Sequence, residues 1–78
     1  MASVVIVQYE YMHKRPGFKF YPKDGEFVSL KAAREDAELW VRKADTVDMP
    51  RATVLQNDTI KYRAWIDERG AYRDTKPV

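Results

Sequence analysis

The sequence predicts an α+β fold: a two-layer sandwich in which a mainly antiparallel sheet of three to four strands packs on one amphipathic helix, in the order β-loop-α-β-β. Three observations carry the prediction. The segment "SVVIVQYEYM" is β-branched and aromatic, as strands are. "LKAAREDAELWVRKA" repeats its apolar residues at three and four, as a core-facing helix does. "RATVLQ" and "TIKYRAWID" are alternating segments that meet across the turn pair "ND". With 78 residues the chain makes one domain, residues 1–78, with a loose tail expected over 74–78. So short a chain leaves much of its surface wet, and its core is a single layer between sheet and helix.

The elements follow in order. In the first strand, the apolar run Val4 to Val7 suggests a central, two-sided position. "KRPGFKFYPKDGEF" then carries turn chemistry at Pro16-Gly17 and Asp24-Gly25, and Pro22 excludes a central strand. Between those turns "FKFY" reads as a short edge strand or an ordered loop. Ser29 is the expected N-cap, because its hydroxyl can accept from free amides of the first helical turn. The helix spans Leu30 to Ala44, with Leu30, Ala33, Ala37, Val41 and Ala44 as its stripe and Trp40 widening it. Pairs such as Lys31–Glu35 and Glu38–Arg42 dress the opposite face. The helix stops in "ADTVDMP", since Pro50 cannot continue it. Beyond the hairpin, "ERG" reads as a turn and "AYRD" as a short final strand.

Composition narrows the function classes. There is no cysteine, so disulfides and thiolate metal sites are out and a reducing cytoplasm is the expected home. The N-terminal apolar run lacks the basic region and the length of a signal peptide, and no segment approaches a membrane span. Net charge is only +2 but uneven. "HKRPGFKFYPK" holds Lys14, Arg15, Lys19 and Lys23 without an acid, while the helix balances its charges. The excess favours acidic partners, of which nucleic acid is one kind.

Catalytic chemistry finds little footing. His13 has no second histidine or cysteine to work with and reads as a surface residue. Glu35-Asp36, Glu38, Asp45-Asp48 and Asp67-Glu68 fall on a helix face or in turns beside Lys or Arg, where carboxylates serve as solvated ion-pair partners rather than as acid–base pairs in a cleft. Gly17, Gly25 and Gly70 are isolated, so there is no phosphate-cradling loop. The expectation is a non-enzyme without cofactor or metal.

Surfaces remain. If Ile60, Tyr62, Ala64 and Ile66 face the helix, then Lys61, Arg63 and Trp65 face outward. In the first strand, the phase that buries Tyr9 and Tyr11 and exposes Gln8, Glu10 and Met12 is favoured, because the other puts Glu10 inside at a cost. Trp65, flanked by Arg63 and near Arg69, Tyr72 and Arg73 in sequence, has the residue types of an interface hot spot. Lys14, Arg15, Lys19 and Phe20 form a second basic and aromatic group, either a contact loop or aromatics tucked over the end of the core. The first reading is a protein partner with an acidic or nucleic-acid-reading surface. The alternative is direct binding of single-stranded RNA or DNA, with rings stacking bases and cations holding phosphates. An exposed edge strand would also allow pairing with a target or with a second copy, a homodimer.

A first strand, a helix opening "SLKAAREDAELW", then "ATVLQNDTIKYRAWIDERGAYRD", with "TVL" at 53–55 and "ERGAYRD" at 68–74, give a layout that resembles small phage-encoded βαββ inhibitor proteins. Among these it is similar to some type I anti-CRISPR proteins, and the likeness covers most of the chain as an element order. The resemblance implies a non-enzymatic inhibitor in the host-cell cytoplasm that sterically blocks a CRISPR nucleic-acid-binding complex. It carries no contact residues across.

Overall fold

The computed structural model describes residues 4–13 and 23–75. Its elements are β1 (Val5–Tyr11), β2 (Gly25–Phe27), α1 (Leu30–Lys43), a 3-10 turn (Thr46–Asp48), β3 (Pro50–Gln56), β4 (Thr59–Ile66) and β5 (Tyr72–Asp74). The strands form one sheet in the order β2-β1-β3-β4-β5, antiparallel at every pairing. Helix α1 lies mainly over β3 and β4.

Local chemistry explains the boundaries. Ser29 Oγ accepts from the Ala32 amide at 3.1 Å, satisfying one of the donors that a helix start leaves free. The Ala44 amide closes the other end on the Trp40 carbonyl at 3.1 Å, so Ala44 is the C-cap rather than the last residue of the stripe. Asp45 then caps the 3-10 turn through the Val47 amide at 3.0 Å. Met49 takes a left-handed φ of 49°, and Pro50 opens β3. In the β3–β4 hairpin, Asn57 (φ 52°) and Asp58 (φ 62°) are both left-handed, as a tight hairpin turn requires. In the β4–β5 turn, Gly70 has φ 80° and the Asp67 carboxylate accepts the amides of Arg69 (2.9 Å) and Ala71 (3.0 Å).

The core lies between α1 and one face of the sheet. Ala33, Ala37 and Val41 meet Val5, Val7, Ala52, Val54, Tyr62, Ala64 and Ile66, all buried. Alanines on both sides (Ala33 and Ala37 above, Ala52 and Ala64 below) leave room for the helix to approach closely. Each buried valine contributes roughly 1.5–3 kcal/mol through removal from water. At one end Trp40 packs on Tyr9 and Tyr11, with ring centroids 4.9 and 5.3 Å apart, and the Tyr9 hydroxyl donates to Asp36. Gly25 leaves room beside this cluster: a Cβ there would stand 2.8 Å from the Tyr9 hydroxyl oxygen and 2.9 Å from the Phe27 ring, so one of those side chains would have to shift.

The first strand takes the phase expected from the cost of burying Glu10. Val5 and Val7 are buried and Tyr9 packs on the core, while Gln8 and Met12 are exposed. Two features differ from expectation. A short strand, β2, forms at Gly25–Phe27, where the sequence shows a turn signal, and pairs with β1. Together with β5 it makes the sheet five-stranded. The "FKFY" segment lies outside the described residues. Ile60, expected in the core, is 53% exposed. The β3–β4 register shifts so that Val54 faces Tyr62 but Leu55 faces Ile60, leaving Lys61 as the extra residue. One inserted residue reverses the alternation, which moves Ile60 to the face of Leu55 and away from the helix.

Candidate binding surface

One helix covers one face of the sheet; among the described residues no element packs on the other. Cross-strand partners share a face, so the register sorts this open face into rows. Glu26, Ile6, Leu55 and Ile60 form the first, Gln8, Thr53 and Arg63 the next, and Glu10, Arg51, Trp65 and Arg73 the last. The last row sets Trp65 between Arg51 and Arg73 of the neighbouring strands. A shallow concavity of about 400 Å³ opens here, with Met12, Met49 and Trp65 as its apolar wall. Arg51, Arg63, Asp67 and Glu68 also line it.

Several of these groups are held in place. Arg51 Nη2 pairs with Glu10 Oε2 at 2.9 Å, while its Nε is buried without a partner. Arg63 Nε donates to Thr53 Oγ1 at 3.2 Å, and the guanidinium stem helps reduce Thr53 to 2% exposure. Arg73 Nε pairs with Asp67 Oδ2 at 3.1 Å. The Asp67 carboxyl is held below its ordinary value by the Ala71 amide first, then by Arg73 and the Arg69 amide. Three guanidinium groups on this surface, those of Arg51, Arg63 and Arg73, are thus each held by a polar contact.

Of the candidates read from the sequence, the structure brings together Arg63, Trp65 and Arg73. It adds Arg51, Met12 and Met49, which strand pairing alone could reveal. Lys61 is exposed at the bulge, and Arg69 is exposed in the β4–β5 turn. Tyr72 does not join Trp65. It pairs opposite Ile66 and so faces the helix side, where neighbours in sequence are parted by the alternation of the strand. Lys14, Arg15, Lys19 and Phe20 lie outside the described residues. His13 is exposed, and its Nδ1 donates to the Val47 carbonyl at 3.2 Å. Among the described residues no group of three His, Cys, Asp or Glu could hold a metal ion, and no helix is long and apolar enough to cross a membrane.

On the helix side, at the β4–β5 edge, sits a second cluster that the sequence does not announce. Arg34, Glu38 and Arg42 stand at successive i, i+4 positions of α1 and overlook Tyr62 and Tyr72. The Arg42 guanidinium lies 4.0 Å from the Tyr72 ring centroid and that of Arg34 5.1 Å from the Tyr62 centroid. Arg42 Nε also donates to Glu38 Oε1 at 3.0 Å. The Tyr72 and Tyr62 hydroxyls are 2.9 Å apart, and Tyr62 donates to Asp74 Oδ2 at 3.2 Å. Burial pushes both phenols up from their ordinary pKa, and for Tyr72 the bond to Tyr62 adds to it. The helical spacing is visible in "AREDAELWVR", but its meeting with Tyr62 and Tyr72 depends on how β5 folds back.

No family model, no curated protein and no solved structure matches the chain.

Proposed function

We propose that this chain is a small non-enzymatic binding protein that presses the open face of its sheet against a protein partner and occludes a nucleic-acid-reading surface there, as the phage-encoded inhibitors it resembles would do to a type I CRISPR complex. The observation that carries the reading is the Arg51–Trp65–Arg73 row beside a concavity of mixed polar and apolar lining, on the sheet face opposite α1. Tryptophan and arginine dominate interface energetics when they sit at the centre of a patch, and folding does not require them there. Arg63 extends the patch, and Lys61 lies at its margin.

Charge distribution favours a protein over a nucleic acid as the partner. Asp67 and Glu68 line the concavity and Glu10 neutralises Arg51. A phosphate backbone crossing this face would meet carboxylates as often as guanidinium groups. A protein surface of mixed sign can match both, and like-signed juxtapositions would reject wrong partners.

Two measurements test the reading. In a bacterium with an active type I interference system, expressing the chain should raise plating of a targeted phage by orders of magnitude, and the Arg63→Glu/Trp65→Ala variant should lose most of that effect. Labelled single-stranded oligonucleotides, titrated at low and high salt, should show no saturable binding. Tight binding that weakens steeply with salt, the mark of counterion release, would replace this reading with direct nucleic-acid binding.

A further inference from the structure

The helix-side cleft at the β4–β5 edge shares only Arg73 with the open face and carries an inference of its own. It is an open cleft of about 560 Å³, lined by Arg34, Glu38, Arg42, Tyr62, Tyr72, Arg73 and Asp74. That volume falls in the range of small-ligand sites, but this wall is mainly polar.

The partners within the cleft are unevenly distributed. Glu38 is engaged by Arg42. Asp74 accepts from Tyr62, which leaves Tyr72 as the donor to the Tyr62 oxygen. Arg73 is engaged by Asp67. Arg34 has the Tyr62 ring beneath it and no hydrogen bond or ion pair with any described residue, and its Nε is buried without an acceptor. An arginine donor kept from water and left unmatched is costly. The Tyr62 ring lies beneath the guanidinium, with its centroid 5.1 Å from the central carbon, and this contact places the planar fork of donors at the cleft wall.

We infer that this cleft binds a small polar organic acid, with its carboxylate held bidentately by Arg34. A carboxylate matches the fork in plane and in spacing. Monoanionic charge follows from the wall: one guanidinium is uncommitted, while Glu38 and Asp74 repel a second negative charge. A phosphate dianion is disfavoured for that reason. Tyr72, at the end of the hydroxyl relay, lies beside the body of the ligand and offers its oxygen as an acceptor to a hydroxyl or amino group.

Side-chain NMR of the full chain labelled with nitrogen-15 tests this at constant ionic strength, with sodium lactate, sodium acetate and inorganic phosphate as probes. Lactate should move the Arg34 Nε–Hε signal saturably, with acetate weaker and phosphate weakest. Arg34→Lys, which keeps the charge and loses the fork, should weaken lactate by about tenfold, the loss expected for one charge-assisted bond. Tyr72→Phe should narrow the lead of lactate over acetate. The absence of a saturable shift with any probe overturns the site. Phosphate binding more tightly than lactate, or an Arg34→Lys variant that binds lactate as well as the parent, overturns the assignment to a carboxylate held by the fork. The wild-type comparison of probes stands even if a variant fails to fold.

Discussion

The two faces of the sheet are built from the same strands and differ in almost everything else. Toward α1 the strands present Val5, Val7, Ala52, Val54, Ala64 and Ile66, all buried, small or branched, and interlocked with three buried helix residues, Ala33, Ala37 and Val41. Away from it they present Glu10, Arg51, Arg63, Trp65 and Arg73, where Arg51 pairs with Glu10, Arg63 donates to Thr53 and Arg73 pairs with Asp67. An antiparallel sheet with one solvated face needs only polar residues there. A tryptophan between arginines, beside methionines, is more than solubility requires. The buried contacts thus lie on one side of the sheet and the proposed recognition surface on the other, and the two should respond separately to mutation.

The largest expected effect breaks that comparison at adjacent residues. Val54→Ala removes buried methyl groups under the helix and should cost about 2–3 kcal/mol. Leu55→Ala removes more atoms from the open face and should cost about 1 kcal/mol or less. Urea unfolding of the two variants measures it, and a larger loss at Leu55 would show that the open face is a second core.

Alkali should act on the covered side alone. Tyr9, Tyr62 and Tyr72 all have pKa values raised above the ordinary 10.0, burial being the largest cause in each. Folding favours their neutral form, so their contribution is complete below the unfolded value and is lost as pH rises through the folded values. Unfolding free energy should fall steadily once pH exceeds about 10, and Tyr72→Phe should make that fall shallower. Next in size, Ser29→Ala removes the acceptor for the Ala32 amide and should cost about 1 kcal/mol, with Ser29→Gly costing only a few tenths. Smallest is the change on the open face: Arg63→Glu/Trp65→Ala should shift stability by no more than about 1 kcal/mol.

How much of the molecule is legible in its sequence depends on the range of the interaction. Ser29, the Asn57-Asp58 turn and the phase of β1 can be read because each rests on near neighbours or on the cost of burying one residue, Glu10. Ile60 defeats the alternation rule because the bulge at Lys61 is a property of the pairing with β3, which β4 alone does not contain. β2 is hidden for a related reason: Gly-Glu-Phe has little strand character, and the segment is held as a strand by the free edge of β1. At the candidate site, Arg63 and Trp65 are legible as outward-facing members of one strand. Arg51 is not, since its place beside Trp65 is set by the β3–β4 register. Sequence proximity groups Tyr72 with Trp65, and the fold puts the sheet between them. Arg34 reads as an ordinary helix-surface arginine until β4 and β5 supply the tyrosines beneath it.

The most direct test is a competition gel shift with a purified type I CRISPR complex and its target DNA. The wild-type chain should prevent DNA binding in a dose-dependent way, and Arg63→Glu/Trp65→Ala, equally folded by circular dichroism, should require at least an order of magnitude more protein, as loss of central arginine and tryptophan contacts implies. Undiminished DNA binding at saturating wild-type protein, or a double variant that competes as well as its parent, would contradict the assignment of recognition to the open face.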